Sequence, residues 1–447
     1  MPNHKFLASC ILYRMKILDN CKLIHFIGIL GSSMSNLALS TKRMGIFVTG
    51  SDKRCDEILT TLQQNDIHAY VGSNTQVVKN ADLIVYSSAI PPSDIELSYA
   101  RSLGKLCISR AEYLSLICKK FKKVIAVSGT HGKSTVTAML GHLFSDAGLK
   151  PFVHVGAKFD HNELFDYNYA IIEACEYKQS FYSLSPDIEL ILNVEYDHPD
   201  CYDSLDSTYK SFNEFSKRIK KGGTLITLDN ININVENMYS VPLNARYEDL
   251  SQSNGCFTFT PYVLGKRYPK LTLSIPGLHN VTNALFALLV SAIENIDPIV
   301  STKSLSTFKG VDRRFQRFND INGGKIILDY AHHPTEIKTV ISTAKLSSDY
   351  VVVYFQPHTY SRTAKLFDEF CYAFDQANEV IIVEEYPARE NATMGKSALE
   401  LANAISNHKK CSYKTLSNAK NHLLTTDNSN KTILILGAGN INDILVR

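Results

Sequence analysis

The amino-acid sequence predicts an α/β protein with three domains and mainly parallel sheets. Strand-like runs rich in β-branched residues alternate with helical patterns along almost the whole chain, which is typical of α/β folds. The 447 residues exceed what one hydrophobic core normally organises. The strand-like runs fall into three blocks, which place the domains at residues 21–115, 116–312 and 313–447.

The composition is that of an ordinary globular chain, with 45% hydrophobic and 20% charged residues. The formal net charge is only +3 and no run rich in Lys and Arg stands out, so we predict no nucleic-acid partner. The ten cysteines are scattered without a C-x-x-C pair. That pattern favours reduced thiols and a cytoplasmic location.

The N-terminal 20 residues predict neither a membrane anchor nor an export signal. The apolar stretch over residues 6–13 is too short to span a bilayer, and no small-residue cleavage site follows it. We expect residues 1–20 to be an extension, with Met15 as an alternative start.

The first block opens with a strand–turn–helix–strand pattern over residues 25–52. A β-branched run ends at Gly28, a helical pattern follows, and a second apolar run ends at Asp52, as in dinucleotide-binding units. A G-x-G-x-x-G fingerprint would need glycine at positions 30 and 33, where the chain has Leu30 and Ser33. The pattern alone leaves three alternatives open: a damaged dinucleotide site, a site for another ligand, or a simple turn.

The second block carries the strongest local signal, residues 124–144. A buried-looking strand breaks at Gly129, reaches Gly132, Lys133 and Ser134, and continues as a helix. Glycines let backbone N–H groups turn toward phosphate oxygens, lysine reaches the terminal phosphates, and the serine hydroxyl ligates Mg²⁺. The spacing is shorter than in the general phosphate loop. The alternative is an ordinary strand-to-helix turn with a surface lysine.

Two further strand ends in this block offer metal ligands. Glu173 follows one apolar run, and Asp197 and His198 follow the next. In a parallel sheet the C-terminal ends of strands lie along one edge with the phosphate loop. Carboxylates suit Mg²⁺, whereas histidine indicates a more specialised metal position. The alternatives are a solvated strand end for Glu173 and a polar turn residue for His198.

The rest of the chain predicts an elaboration and a third α/β block. The Asn-rich stretch at 230–237 and the segment to about residue 275 are predicted to be loops and strands. An apolar helix follows, and the third block then contributes strand runs up to the C-terminus.

Seven motifs carry a resemblance to a known family. They stand in the order GTHGKST, EACEY, NVEYDHPD, GLHNVTNALFAL, GVDRRFQ, DYAHHPTEI and FQPHTYSRT. The chain resembles the Mur ligase family over nearly its whole length, from about Ile24. The last three motifs are most similar to the branch that adds L-alanine to UDP-N-acetylmuramate.

The resemblance implies a Rossmann-like N-terminal domain for the UDP-sugar, a central ATPase domain, and a Rossmann-like C-terminal domain for the amino acid and the ATP ribose. It implies an ADP-forming ligation of L-alanine to the carboxylate of UDP-N-acetylmuramate through an acyl phosphate, in peptidoglycan precursor synthesis. ATP and Mg²⁺ are the expected cofactors. Phosphoryl transfer depends on positioning and charge neutralisation, which suits the residue types of the central motifs.

The resemblance also assigns residues to the ATP site. Catalytic roles fall to Lys133, His198 and Arg362, and metal ligation to Ser134, Glu173 and His198. Either Arg313 or Arg314 offers a guanidinium to the phosphates, and Arg314 is preferred. The expected ATP-binding residues are Gly129, Thr130, His131, Gly132, Lys133, Ser134, Thr135, Asn280, Asn283, Arg314 and Asp329.

The other two substrates are expected on the outer domains. The amino-acid site is predicted at Tyr330, His332 and Arg362, because arginine can clamp a carboxylate with two hydrogen bonds. The alternatives are a solvated turn at the histidines and an Arg362 paired with Asp368 or Glu369. The expected UDP-sugar-binding residues are Gly28, Gly31, Ser32, Ser33, Met34, Ser51, Asp52 and Ser88.

Three positions depart from patterns seen in the family. Cys175 and Lys178 stand where some members have acidic groups, and Thr359 stands where another branch has arginine. Ser33 stands where glycine is usual in the UDP-diphosphate loop. Its Cβ reaches toward the space of the diphosphate, so we expect Ser33 to weaken UDP-sugar binding modestly. The alternative is a hydroxyl that donates to a phosphate oxygen or caps the helix.

Other functions remain open on the sequence alone. A related ligase attaches a recycled murein peptide to the same UDP-sugar, and the two would differ in the third domain. A non-catalytic UDP-sugar-binding relative and a P-loop ATPase that drives motion are further alternatives. The expected partners are the two substrates, UDP-N-acetylmuramate and L-alanine, without nucleic acid or membrane, and the expected state is a monomer or homodimer.

Overall fold

The computed structural model describes residues 18, 20–156, 165–388, 390–407 and 409–445. The predicted extension and the alternative start at Met15 lie almost entirely outside these residues. Within the described ranges, no helix is both long enough and apolar enough to cross a membrane. The cysteines within them are all free thiols.

The first sheet has five parallel strands in the order β3-β2-β1-β4-β5. Helices connect successive strands, as the alternating pattern predicts. The strands are β1 Leu23–Ile27, β2 Phe47–Asp52, β3 His68–Val71, β4 Leu83–Tyr86 and β5 Leu106–Ser109. The helices are Ser32–Arg43, Glu57–Gln64, Thr75–Asn80, Ile95–Ser102 and Arg110–Cys118.

The second sheet has six parallel strands in the order β11-β10-β9-β6-β8-β7. Its central strand β6 leads directly into the glycine-rich loop and the next helix, which confirms the predicted strand–loop–helix unit. The strands are β6 Lys123–Ser128, β7 Phe152–His154, β8 Tyr169–Glu173, β9 Ile188–Ile191, β10 Thr224–Leu228 and β11 Met238–Val241. The helices are Lys133–Asp146, the 3₁₀ helix Tyr177–Ser183, and Leu205–Ser216.

The predicted loop-and-strand elaboration is a small antiparallel sheet. Strand β13 pairs with β12, β14 and β15, and two helices follow it. The strands are β12 Ala245–Ser253, β13 Cys256–Val263, β14 Lys266–Arg267 and β15 Leu271–Thr272, and the helices are His279–Ile293 and Pro298–Thr307.

The third sheet has six strands in the order β16-β17-β21-β18-β19-β20. Only the edge strand β16 is antiparallel to its neighbour. The strands are β16 Gln316–Ile321, β17 Gly324–Asp329, β18 Val351–Phe355, β19 Glu379–Val383, β20 Cys411–Lys414 and β21 Thr432–Leu436. The helices are Pro334–Lys345, Tyr360–Lys365, Phe367–Cys371, Ala398–Ser406 and Leu416–Thr425, with 3₁₀ helices at Ala392–Met394 and Ile441–Leu445.

The hydrophobic cores show which sheets are packed together. One continuous cluster joins buried residues of the first sheet, such as Phe26, to buried residues of the central sheet, such as Phe152 and Ala170. The helix His279–Ile293 is apolar on nearly all sides because it lies between the phosphate-loop helix and the small antiparallel sheet. The third sheet has apolar clusters on both faces, as expected for a parallel sheet covered by helices.

Candidate active site

The phosphate loop lies at the C-terminal end of β6. Gly129 and Gly132 adopt positive φ angles of 133° and 84°, which favour glycine. No side chain caps the following helix, and Val136 is the first residue to bond back to Gly132. The N–H groups of its first turn therefore have no acceptor within the described chain, and they fit a phosphate group.

Lys133 lies folded back over this loop. Its ammonium donates to the carbonyls of Gly129 and Thr130 and to the carboxylate of Glu176, which it approaches to 2.9 Å. Burial by itself would lower the pKa of Lys133, but the carboxylate of Glu176 outweighs it and raises the pKa. Lys133 is therefore held cationic at the centre of the loop.

Two of the three predicted metal ligands touch each other. The hydroxyl of Ser134 lies 3.0 Å from both carboxylate oxygens of Glu173, and the backbone N–H of Gly156 donates to the same carboxylate. A hydroxyl and a carboxylate are hard oxygen donors of the kind that Mg²⁺ prefers. The pair fits a magnesium ion.

His198, the third predicted ligand, lies beside a different carboxylate. Its Nε2 atom is 3.6 Å from Glu176 and 3.7 Å from Asp197, and its backbone has a positive φ of 55°. Glu176 is 3% exposed and joins His198 to Lys133. Burial would raise the pKa of Glu176, but Lys133 and His198 lower it, so this carboxylate is charged.

The segment that follows β9 holds the phosphate loop in place. The side-chain amide of Asn193 accepts from the N–H of His131 and donates to its carbonyl, at 2.8 and 3.0 Å. The hydroxyl of Thr130 accepts from the N–H of Glu195 at 2.9 Å. The conformation of the loop therefore depends on the strand end next to it.

The same segment is hydrogen-bonded to the third domain. Asp197 receives a hydrogen bond of 2.9 Å from Nε of Arg362, and both side chains are buried. Burial would raise the pKa of Asp197, but the guanidinium of Arg362 holds the pKa well below its usual range. The alternative partners of Arg362, Asp368 and Glu369, are therefore wrong.

His131 makes a second contact between the central and third sheets. Its Nδ1 atom lies 3.1 Å from the carboxylate of Glu336 and its Nε2 atom 3.5 Å from Glu195. The ring of His333 is 4.8 Å from that of His131, and Thr335 donates to Glu195 at 2.7 Å. The phosphate loop thus contacts the helix Pro334–Lys345 across the domain boundary.

A cleft of about 1320 Å³ lies between the central and third sheets. Asn280 and Asn283 line it from the central side, where Asn283 donates to Asn280 at 3.0 Å. Arg314 and Asp329 line it from the other side. Both oxygens of Asp329 accept backbone N–H groups at 2.7 Å, and burial raises the pKa of this carboxyl to about 6.

The predicted amino-acid residues lie at the C-terminal end of β17. The guanidinium groups of Arg313 and Arg314 both lie over the ring of Tyr330, with their Cζ atoms 4.9 and 5.3 Å from the ring centre. The Nδ1 atom of His332 bonds the carbonyl of Tyr330 at 2.9 Å. Burial lowers the pKa of His332 to about 4. The alternative of a solvated turn at His332 and His333 is wrong, because both rings are largely buried.

The loop predicted to bind the UDP diphosphate turns at a glycine and leads directly into a helix. Gly28 has a positive φ of 81°, and Gly31 precedes the helix Ser32–Arg43 without a side-chain cap. Ser32 is exposed at the helix start and Met34 is buried beneath it.

The side chain of Ser33 contacts two elements outside its own helix. Its hydroxyl lies 2.9 Å from Nε2 of His154 at the end of β7 and accepts a hydrogen bond of 2.9 Å from Arg110.

The other residues predicted to bind the UDP-sugar differ in their exposure to solvent. The carboxylate of Asp52 accepts the N–H groups of Leu30 and Arg54 at 3.0 and 3.1 Å, so it closes the loop. Ser51 is buried and donates to Glu96, whereas Ser88 is exposed.

Family descriptions match this chain in three consecutive segments. They are a Mur ligase catalytic domain over residues 23–122, a Mur ligase middle domain over residues 127–291, and a Mur ligase glutamate ligase domain over residues 313–439. The chain belongs to the Mur ligase family.

This Mur ligase has a close relative in Clostridium beijerinckii. That protein is named UDP-N-acetylmuramate–L-alanine ligase and is 38% identical over 444 residues, which cover 95% of this chain and 97% of the relative.

Two solved structures share the fold. The UDP-N-acetylmuramate–alanine ligase of Thermotoga maritima superposes with a TM-score of 0.80 at 28% identity, covering 95% of this chain and 97% of the other. A murein peptide ligase of Psychrobacter arcticus has a TM-score of 0.70 at 22% identity, covering 95% and 97%. The three-domain α/β fold predicted for this Mur ligase is therefore confirmed.

Several residues of the site were not singled out by the sequence analysis. Glu176 lies inside a quoted motif, yet only its contact with Lys133 reveals its position at the loop. Asn193 and Glu336 also lie inside quoted motifs. A signal was available for Asn193, since polar residues that follow a strand of a nucleotide-binding sheet face the ligand edge. Arg110 carried the same signal, because it directly follows β5, whereas His154 is the last residue of a strand and carried none.

Proposed function

We propose that this Mur ligase joins L-alanine to the carboxylate of UDP-N-acetylmuramate, with cleavage of ATP to ADP and phosphate, in peptidoglycan precursor synthesis. The observation that carries the proposal is the contact between the phosphate-loop side of the central domain and the third domain. The phosphate loop with Lys133 and Ser134 faces the third sheet, and Arg362 binds the residue directly before His198. A relative 38% identical bears the name of this activity.

The chemistry requires activation of a carboxylate, because oxide is a very poor leaving group. An oxygen of the sugar carboxylate attacks the γ-phosphorus of ATP, ADP leaves, and an acyl phosphate forms. The alanine amine then attacks the acyl carbon, and phosphate leaves as the amide bond forms. Catalysis of such a phosphoryl transfer rests on positioning and on neutralising the charge of the phosphates.

The residues of the phosphate loop supply that neutralisation. Lys133 binds the phosphates once they replace Glu176 and the loop carbonyls as its partners, and the free N–H groups of Gly132–Thr135 bind phosphate oxygens. Ser134, Glu173 and His198 are the residues that would hold Mg²⁺, and the ion would supply positive charge to offset that of ATP and the sugar carboxylate.

The cleft between the central and third sheets binds the rest of ATP. Asn280 and Asn283 contact the adenine side, Arg314 contacts the phosphates, and Asp329 contacts the ribose. The cleft lining supports this assignment.

The acceptor site is formed by Tyr330, His332 and Arg362. His332 is neutral near pH 7, because burial lowers its pKa to about 4. Its Nδ1–H group donates to the carbonyl of Tyr330, so its Nε2 atom is free to accept the proton that the alanine ammonium releases. Arg362 reaches the alanine carboxylate with the guanidinium N–H groups that neither Asp197 nor His358 uses.

The first domain binds the UDP-sugar through Gly28, Gly31, Ser32, Ser33 and Met34. Ser51, Asp52 and Ser88 complete this site, with Asp52 acting through the loop that it closes. We assign the UDP-sugar, ATP and amino-acid domains to residues 21–115, 116–312 and 313–447, and we place the enzyme in the cytoplasm as a monomer or homodimer.

The test is a phosphate-release assay with UDP-N-acetylmuramate, ATP and Mg²⁺ and a panel of acceptors. L-Alanine, glycine, L-serine and a murein tripeptide should be compared at equal concentration. We expect phosphate release that requires the UDP-sugar and is fastest with L-alanine. Mass spectrometry of the product should show UDP-N-acetylmuramoyl-L-alanine.

Two results would contradict the proposal in different ways. Phosphate release that does not need the UDP-sugar would refute the ligase assignment. Equal or faster release with the tripeptide would refute the alanine assignment and would support a murein-peptide recycling ligase instead.

A further inference from the structure

The hydroxyl of Ser33 lies at a junction of three elements. It is in the first turn of the helix Ser32–Arg43, it accepts a hydrogen bond from Arg110 at the start of the helix that follows β5, and it contacts His154 at the end of β7. Its two partners are 77 and 121 residues away in sequence. The nearby Asn36 donates to the carbonyl of Val155 at 2.8 Å, so this helix is hydrogen-bonded to residues 154 and 155 at two points.

The state of His154 decides where the proton of Ser33 points. His154 is 2% exposed, and burial and the nearby Arg110 lower its pKa to about 3, so its ring is neutral. Its Nδ1 atom has no partner within the described chain. A buried N–H without a partner is rarer than a buried acceptor without one, so the ring proton belongs on Nε2, which donates to Ser33.

Ser33 then accepts two hydrogen bonds, one from His154 and one from Arg110. A serine hydroxyl has two acceptor positions and one donor. With both acceptor positions used, the O–H group of Ser33 is left to donate to a third partner. The backbone N–H groups of Ser32, Ser33 and Met34 also lack an acceptor within the described ranges.

Arg110 is a cation without a counter-charge. Within the described ranges its hydrogen bond goes to Ser33 alone, and no carboxylate lies within ion-pair distance of it. It lines a small pocket together with Glu173 and Cys175. Arg110 thus contacts the diphosphate loop through Ser33 and shares a pocket with the predicted metal ligand Glu173.

We propose that Ser33 is a positioning residue for the UDP-sugar: it orients the guanidinium of Arg110 toward the diphosphate and donates its own hydroxyl proton to a phosphate oxygen. The inference rests on the proposed function, because it needs the UDP-sugar as ligand. It reverses the sequence-based expectation that the Ser33 side chain weakens binding. The side chain contacts His154 and Arg110, and a glycine at this position would leave both of them without this hydrogen-bond partner.

The test measures the Michaelis constants for UDP-N-acetylmuramate and ATP, together with kcat, in the full-length enzyme. Ser33→Ala and Ser33→Gly should each raise the constant for the UDP-sugar roughly tenfold, the effect of losing a hydrogen bond to a charged group. The constant for ATP should stay unchanged. Ser33→Thr retains the hydroxyl and should restore the native value for the UDP-sugar.

Arg110→Gln and the double variant with Ser33→Ala test the coupling between the two residues. If Ser33 acts partly by orienting Arg110, the double variant should bind the UDP-sugar about as poorly as Arg110→Gln alone. Strictly additive losses would refute the orienting role. A native Michaelis constant in Ser33→Gly would refute the whole inference, and a lower one would refute it and restore the expectation from the sequence.

Calorimetric titration with UDP-N-acetylmuramate separates this inference from the proposed function. Native protein that binds the UDP-sugar, with Ser33→Ala binding equally well, would overturn the inference alone. Native protein that neither binds the UDP-sugar nor releases phosphate would overturn the proposed function, and the inference with it.

Discussion

The contact of His131 with the third sheet makes the stability of the fold depend on pH. The imidazole lies between the carboxylates of Glu336 and Glu195, with the ring of His333 on one side and the guanidinium of Arg314 beyond Glu336. Burial alone would lower the pKa of His131. The two carboxylates outweigh burial and raise the pKa from 6.5 to about 9.

The sign of the effect follows from the direction of this shift. Between pH 6.5 and about 9 the folded protein keeps a proton on His131 that the unfolded chain has lost. The stabilisation is therefore fully present below pH 6.5 and is lost as the pH rises through about 9. A shift of this size corresponds to about 3 kcal/mol in the free energy of unfolding.

The assay is urea unfolding at a series of pH values between about 6.5 and about 10, on native protein and on His131→Gln. We expect the stability advantage of the native protein over His131→Gln to fall by about 3 kcal/mol across this range. His68→Gln, at an exposed histidine, serves as the control and should keep the native pH dependence. Titration of the His131 imidazole by NMR should place its midpoint near pH 9.

Two outcomes would refute this reasoning. One is an advantage of the native protein over His131→Gln that does not change with pH. The other is an imidazole of His131 that titrates near 6.5, as an unperturbed histidine does.

Three further predictions concern single substitutions. Lys133→Ala should lower kcat at least about 100-fold but leave UDP-sugar binding by calorimetry unchanged, because we assign that ligand to another domain. Arg362→Ala should lower the free energy of urea unfolding by about 3–5 kcal/mol, since it leaves the buried charge of Asp197 uncompensated. Gly132→Ala should raise the Michaelis constant for ATP, because the added Cβ would lie 3.3 Å from Asn283 inside the phosphate loop. Loss of UDP-sugar binding in Lys133→Ala would contradict the division of the domains. The control for Arg362→Ala is Lys365→Ala, an exposed position at which the stability should hardly change. The control for Gly132→Ala is Gly148→Ala, which also has a positive φ but has nothing within 4 Å of the added Cβ.

The local units of this fold could be predicted because their signals lie within a few residues of one another. In the phosphate loop, an apolar run, a glycine and a helical pattern follow in direct succession. These short-range preferences determine the strand β6, the turn and the helix start at Lys133 together. The same reasoning identified Gly28 and the first turn of the N-terminal helix.

The contacts across domain boundaries could not be predicted in this way. Arg362 and Asp197 are 165 residues apart, and His131 and Glu336 are 205 residues apart. No local pattern marks such partners, because docking of whole sheets decides the pairing. The local alternative for Arg362 fails for a structural reason: its helix ends at Lys365, so the acidic residues that follow lie on another helix.

The small antiparallel sheet is an intermediate case. Its strands were expected as part of a loop-and-strand elaboration, but the pairing of β13 with three partners depends on how the segment folds back on itself. Sequence patterns indicate the existence of strands more reliably than their partners.

The short segment from Glu195 to Asp197 joins the third domain to His198, the proposed metal ligand. Each of its three residues is bonded to the third sheet, through Thr335, His333 and Arg362 in turn, and the next residue is His198. Separating the third domain from this segment would release all three anchors and, with them, the position of His198, which we propose as a metal ligand. On the proposed function, an enzyme separated in this way would lack a complete set of metal ligands, so we expect it to hydrolyse ATP slowly in the absence of ligation.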